Sequence, residues 1–477
     1  MNPKNYRPVA IVPILSKILE RAIFDQITNY LDHNGLLRPN HHAYRAQHNT
    51  TTALVQMYDG WLQAVEAGQM AGVCLLDMSA AFDVVDHGLL TDKLSLYGFD
   101  QNALEWVTSY LSGRTQCVLI EGSLSRLQPV NIGVPQGSIL GPLMYTLFTN
   151  ELPEVIHEQQ VGEQSEHDLG GHVWPAYHLG DDVSGNICCY ADDTTFTTSD
   201  DNPAALTLKL TEKYQVIADF MVNNRLKLND EKTHLLVMSA GHTNAGEIKK
   251  AQVKIQTPTA LIKASNTEKL LGCWVQDDLK WTQHIRDNKE ENLIRSLSTR
   301  LGALRKIRRV ANFKNRKMIA EGIIVSKLSY LISLWGGCGA GLRRSLQVIL
   351  NKAARVVTRL DWSTSTKELL GQCGWLSVDQ LIFYHSVLQL HKVRLSGTPK
   401  YLYTMHNSWS YQYRTRQAEN ELVQLRGKPN LELSRHSFKW RAASQYNQLP
   451  SDIRKCSDIR SFKVKVKTWI KTNISLD

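Results

Sequence analysis

Apolar residues recur at helical spacing from Ile14 to Leu31, through Ile18, Ala22, Ile27 and Tyr30, and Asn34-Gly35 ends the pattern as a left-handed helix end would. Residues 50–67 predict a second helix, with Asn49 or Thr50 as N-cap and Gly68 as the stop. The period then changes. Gly72-Val-Cys-Leu-Leu-Asp77 is a short unbroken apolar run, the pattern of a buried strand, and it ends on a carboxylate. Helices are expected at about 89–97 and 101–111, then strands at 115–120 and 127–134 with Gly122 at the turn between them. Pro135-Gln-Gly-Ser138 breaks the second of these strands and opens an apolar helix toward Leu152. Residues 187–196 read as strand, tight turn and strand, a helix is expected at about 204–223, and strands at 233–238 and near 269–275. The stretch 157–186 is polar, rich in Gly and His and without periodicity, so it reads as an inserted surface loop, with His157, His167, His172 and His178 solvated rather than metal-bound.

After Trp281 the strand patterns stop, and helical stretches at 282–309, 315–334 and 343–359 follow, rich in Lys and Arg. Breaks near residue 280 and at Ser396-Gly-Thr-Pro399 divide the chain into 1–280, 281–395 and 396–477. The class is therefore α+β, mixed in the first part and mostly helical in the rest.

Charge sharpens this division. The 477 residues carry a net charge of +10, but residues 281–477 hold 35 Lys+Arg against 13 Asp+Glu, leaving the first 280 at −12. A basic half attracts polyanions through counterion release, whereas acidic residues suit metal cations. At 43% hydrophobic, the chain has too much apolar content for intrinsic disorder, and no run reaches the roughly 18 apolar residues of a membrane span. Eight cysteines without a CxxC pair fit a reducing compartment, and no apolar signal segment opens the chain, so an intracellular setting, nucleus or cytoplasm, is expected.

The candidate chemistry lies in three carboxylates. Asp77 ends one strand, and Asp192-Asp193 occupy the tip of a hairpin. Three oxygen-ligand side chains brought together by a sheet suit two Mg²⁺ ions, with Mn²⁺ as a substitute, and such a pair serves phosphoryl displacement. An isolated Asp-Asp is most often a turn. Between the two strands lies Gly133-Val-Pro-Gln-Gly-Ser-Ile-Leu-Gly-Pro142, whose glycines let backbone approach a ligand and whose following helix is expected to offer free N–H groups to an anion.

Leu76-Asp-Met-Ser-Ala-Ala-Phe-Asp83, Gly133-Val-Pro-Gln-Gly137 and Tyr190-Ala-Asp-Asp193 resemble the successive A, B and C motifs of reverse transcriptases. Asn5-Tyr-Arg-Pro8 and Ala43-Tyr-Arg-Ala46 resemble the finger motifs before them; Leu226-Lys-Leu-Asn-Asp-Glu-Lys-Thr233 and Leu270-Leu-Gly-Cys-Trp-Val275 resemble the D and E motifs after them. Order and wording are those of non-LTR, jockey-like retrotransposons, and the similarity continues from Arg414 to Trp469. The resemblance implies a right hand of fingers, palm and thumb, with a basic C-terminal region after it. It also implies RNA-directed DNA synthesis from a primer 3′-hydroxyl, with RNA template, DNA primer and dNTPs as partners. Such elements carry an endonuclease upstream, which nothing in this chain matches.

The resemblance assigns Asp77, Asp192 and Asp193 as metal ligands and Phe82 as the ring that excludes a ribose 2′-hydroxyl. Arg7, Arg45, Gln136, Gly137 and Lys232 would hold the incoming nucleotide, Lys232 facing departing pyrophosphate; Gly272 and Trp274 would grip the primer end. In the thumb, Arg295, Arg305, Arg308, Arg309, Lys314, Arg316 and Lys317 are the expected backbone contacts. Farther on, 409–416, 438–441 and 463–467 mix cations with aromatics, either as base-stacking surfaces or as core aromatics beside solvated lysines. The alternative to a polymerase is an inactive element remnant that binds nucleic acid.

Overall fold

A computed structural model describes residues 10–78, 80–158, 186–239, 244–406, 422–423, 425 and 428–475. Arg7, most of the 157–186 insertion and residues 409–416 lie outside the described residues. The chain forms two compact units, one of residues 1–46, 72–235 and 251–264, the other of 47–71, 236–250 and 265–477.

The strands are β1 (Met70–Leu76), β2 (Arg114–Gln116), β3 (Leu119–Ile120), β4 (Ser123–Leu124), β5 (Gln128–Val130), β6 (Ile187–Tyr190), β7 (Asp193–Asp200), β8 (His234–Met238), β9 (Lys254–Gln256), β10 (Leu261–Ser265), β11 (Thr267–Leu270) and β12 (Cys273–Gln276). The sheet that underlies the first unit runs β6-β7-β1-β8-β10-β9. As its unbroken apolar run requires, β1 is buried along its whole length, with neighbours on both sides. The helix Pro203–Asn223 packs on this strand at Gly72, where an added Cβ would lie 2.8 Å from a Leu210 methyl. Where single strands were expected at 115–120 and 127–134, four short ones form two antiparallel ladders, β2 with β5 and β3 with β4.

The second unit contains the helix Thr50–Glu66, whose start is a capping box between Asn49 and Thr52. The hairpin β11–β12 follows as two strands rather than the single one expected near 269–275. The expected 282–309 helix is interrupted. A wide π turn at Gln283–Asp287 ends at Asn288, and Asn292 then caps a fresh helix, Leu293–Lys306. Leu297, Leu301 and Leu304 on that helix and Leu346, Leu350, Ala353 and Val357 on Ala340–Thr358 are buried. On the last helix, Ile459–Asn473, Phe462, Val466 and Ile470 are buried, while Lys465 and Lys467 are exposed. Phe438 is buried as well, so at these positions the core account of the aromatics holds.

Candidate active site

The C-motif hairpin is the site's fixed point. β6 and β7 pair antiparallel from Ile187↔Phe196 to Tyr190↔Asp193, leaving Ala191 and Asp192 as the tight turn, Ala191 at φ +57°. The A-motif strand is next to it: β1 neighbours β7, and Asp77 follows its last residue. Beyond Asp77 the chain is held on its other side. Asn229 N–H donates to the Asp77 carbonyl at 3.0 Å, and Met78 bridges antiparallel to Leu228. That bridge carries the D motif to the carboxylate, where Lys232 Nζ lies 3.5 Å from Asp77 Oδ2, with side chains 66% and 40% exposed. Among the described residues no group of three or more His, Cys, Asp or Glu side chains closes into a metal cage. The carboxylate-bearing strands are thus adjacent, and a lysine ammonium supplies positive charge beside Asp77.

Tyr145 braces the A-motif segment and lies in the field of the C-motif carboxylate. It is buried on the helix Leu140–Phe148, its hydroxyl 3.0 Å from Met78 Sδ and its ring 4.7 Å from that of Phe82. Burial first, and then the Asp192 carboxylate, push this hydroxyl well above the usual phenol range. Phe82 is therefore half-buried against a second ring, and its carbonyl belongs to the A-to-B junction. There, Val134 N–H donates to Phe82 O and Gly133 N–H to Val85 O, both at 2.7 Å. Gly133 has φ +86°, and a Cβ would stand 2.6 Å from Asp83 O, so only glycine fits this crossing.

The B motif departs from expectation in one respect. The first amides of the helix after it are not free for an anion: the buried Glu20 carboxylate accepts from Ile139 N–H at 2.6 Å and Leu140 N–H at 3.3 Å. Gln136 is half-buried with its carbonyl accepting from Ala10 N–H at 2.8 Å, and Gly137 is exposed at φ +100°.

The finger motif is pinned to the C-motif hairpin, since His42 N–H donates to Cys189 O and Cys189 N–H to Asn40 O, both at 2.9 Å. Arg45 turns back into its own loop, donating to Arg38 O at 2.7 Å and His41 O at 3.3 Å. Its neighbour Tyr44, missed by the sequence reading, lies in the field of Asp192: burial and then that carboxylate raise its hydroxyl. Tyr145 was missed too; its one signal was a polar-tipped ring inside an apolar helix.

In the second unit, Gly272 sits at the β11–β12 tip with φ +77°, and a Cβ there would meet the Tyr330 ring at 3.4 Å. Trp274 is half-buried with Lys269 Nζ 5.8 Å from its ring centre. Arg295, Arg305, Arg308, Arg309 and Lys314 are exposed. Lys317 lies 3.8 Å from Glu321. Arg316 is a correction to the sequence reading, which placed it on the surface. It is 4% exposed, with Nε and Nη2 donating to Val357 O at 3.0 and 2.7 Å and Nη1 to Ala311 O. It is a helix-to-helix staple rather than a backbone contact.

With this geometry, residues 2–275 match the reverse transcriptase (RNA-dependent DNA polymerase) family, and the chain belongs to it. Its α+β architecture is the right-hand polymerase fold of that family. The chain is 26% identical over 366 residues to the RNA-directed DNA polymerase from mobile element jockey of Drosophila melanogaster, covering 76% of this chain and 37% of that protein. It is 24% identical over 403 residues to the probable RNA-directed DNA polymerase from transposon X-element of the same organism, covering 83% and 40%. This chain thus spans about two fifths of the length of these relatives. Telomerase from Candida albicans aligns at 12% identity with a TM-score of 0.40, over 97% of this chain and 59% of that one.

Proposed function

We propose that this chain is the RNA-directed DNA polymerase of a non-LTR retrotransposon, extending a primer 3′-hydroxyl with dNTPs on an RNA template. The single observation that carries the reading is the adjacency of β1 and the β6–β7 hairpin, which makes neighbours of the strands bearing Asp77 and Asp192-Asp193. The donor chemistry fits hard divalent cations, since all three side chains are carboxylates and Asp77 keeps solvent access. When bound, Mg²⁺ would lower the cost of forming the attacking alkoxide and of releasing pyrophosphate. Asp77, Asp192 and Asp193 would hold the metals. Phe82, braced by Tyr145, would fill the space of a ribose 2′-hydroxyl. Lys232, already beside Asp77, would give its proton or its charge to the departing pyrophosphate. Exposed cations of the second unit would neutralise template and primer phosphates.

The test is primer extension by the purified chain on RNA and DNA templates with Mg²⁺. Asp192→Asn, with an unchanged melting temperature, is expected to lower incorporation by on the order of a hundred- to a thousandfold. Undiminished extension by Asp192→Asn removes the assigned site. Salt-sensitive RNA binding without incorporation, even with Mn²⁺, is the signature of the inactive remnant instead.

A further inference from the structure

A cavity of about 450 Å³ in the second unit is walled by the Gly336-Gly337 turn, Arg343, Asp379, Arg441 and Gln445. Its volume falls within the roughly 300–1,000 Å³ of small-ligand sites. Arg441 enters from the helix Phe438–Gln448, with Nη1 donating to His436 O at 2.7 Å and Nη2 to Ser333 O. Its Nε is shut away from solvent and has no hydrogen-bond partner. Among the described residues no carboxylate pairs with this guanidinium, and burial lowers its pKa to about 10. A half-buried cation that has only carbonyl oxygens for partners and one N–H shut away unpaired is costly, and an oxyanion is the partner it lacks.

The rest of the wall is consistent with that. Arg343 also lines the cavity, with Nε 2.6 Å from Asp379 Oδ1, so the wall holds two guanidiniums against one carboxylate. Gly337 must be glycine, because a Cβ would lie 2.2 Å from His436 O and 2.8 Å from Arg441 Nη1. The turn is thereby pressed against the guanidinium. Gln445 Oε1 is also buried without a partner. A bare oxyanion leaves that acceptor unmet, whereas a ribose hydroxyl satisfies it.

We propose that this cavity binds one nucleotide unit, its phosphate on Arg441 and a sugar hydroxyl on Gln445. The unit is either a free nucleoside monophosphate or one residue of a bound RNA strand. The proposal does not rest on polymerase activity, because its residues and its readout are independent of the carboxylate site. Calorimetric titration of the full chain with AMP, inorganic phosphate and a short uridine oligonucleotide tests it. AMP is expected to bind more tightly than phosphate. Arg441→Lys, which keeps the charge but loses the fork, is expected to weaken both by about tenfold. Gln445→Leu is expected to weaken AMP alone and leave phosphate binding and the melting temperature as they were. This variant keeps the test decisive if Arg441→Lys does not fold. Displacement of AMP by the oligonucleotide assigns the site to a strand, and its failure to displace AMP assigns it to the free nucleotide. No AMP binding by the wild-type chain, or AMP binding unchanged by Gln445→Leu, overturns the proposal.

Discussion

Glu20 supplies the cap that Ile139 lacks. The helix Leu140–Phe148 has no side-chain cap of its own, and a carboxylate from the first helix takes its leading amides. Glu20→Ala leaves two amide groups without that acceptor and is expected to cost about 1–3 kcal/mol, read as a lower midpoint in denaturant unfolding. Glu20→Gln, which keeps one acceptor oxygen, should lose less; a midpoint unchanged in Glu20→Ala would mean that the cap contributes little. Phe82 makes the other argument of this size. Packed on Tyr145 at 4.7 Å, its ring cannot swing freely away from whatever occupies the space before it. Phe82→Val should therefore relax discrimination against ribonucleotides by about tenfold or more, measured as kcat/KM for CTP against dCTP. Unchanged sugar selectivity would refute that role. Neither partner was visible in one dimension, because Glu20 and Tyr145 act on residues remote in sequence.

Among the elements, the contrast between Arg316 and its basic neighbours shows how like residues diverge. All sit in the same cationic stretch, but the helix Phe313–Ala320 turns Arg316 inward, onto the carbonyl end of Ala340–Thr358. Cations at a helix C-terminus meet its unpaired carbonyls and the negative end of its dipole. Arg316→Met is expected to cost about 1–3 kcal/mol of stability. Arg309→Gln is expected to leave stability within about 0.5 kcal/mol and to reduce the salt slope of RNA binding by about one. The reverse pattern would show the inward arginine to be the RNA contact. Charge counting alone cannot make this distinction, since it records a guanidinium without its direction.

For the whole molecule, buried histidines set the response to acid. Burial lowers His41 to about 3 and His284, His391 and His406 each to about 4, so the folded chain keeps them neutral. Unfolded histidine titrates near 6.5, and between that value and about 4 the unfolded chain binds more protons than the folded one. Stability is therefore complete above roughly pH 6.5 and declines as pH falls toward 4. The melting temperature should drop steadily from pH 7 to pH 4.5, and His391→Gln should flatten that slope. His391 is held at 2.9 Å by both Tyr446 Oη and Cys456 O, which fixes the ring in the core. A melting temperature independent of pH across this window would contradict the assignment.

Local pattern alone determined much of this chain. The buried strand leading into Asp77, the Tyr190–Asp193 hairpin and the long first helix follow from the periodicity of neighbouring side chains and from short-range turn chemistry, while the ordered motifs were legible through their resemblance to reverse transcriptases. What tertiary structure decided is who faces whom. It set β1 beside β7, Lys232 beside Asp77, Glu20 on the B-motif helix, Arg316 inside rather than outside, and Arg441 on a cavity wall. Periodicity reports which face of an element is buried, but the partner across that face is chosen by packing among distant segments, a property of the folded chain that no local window contains.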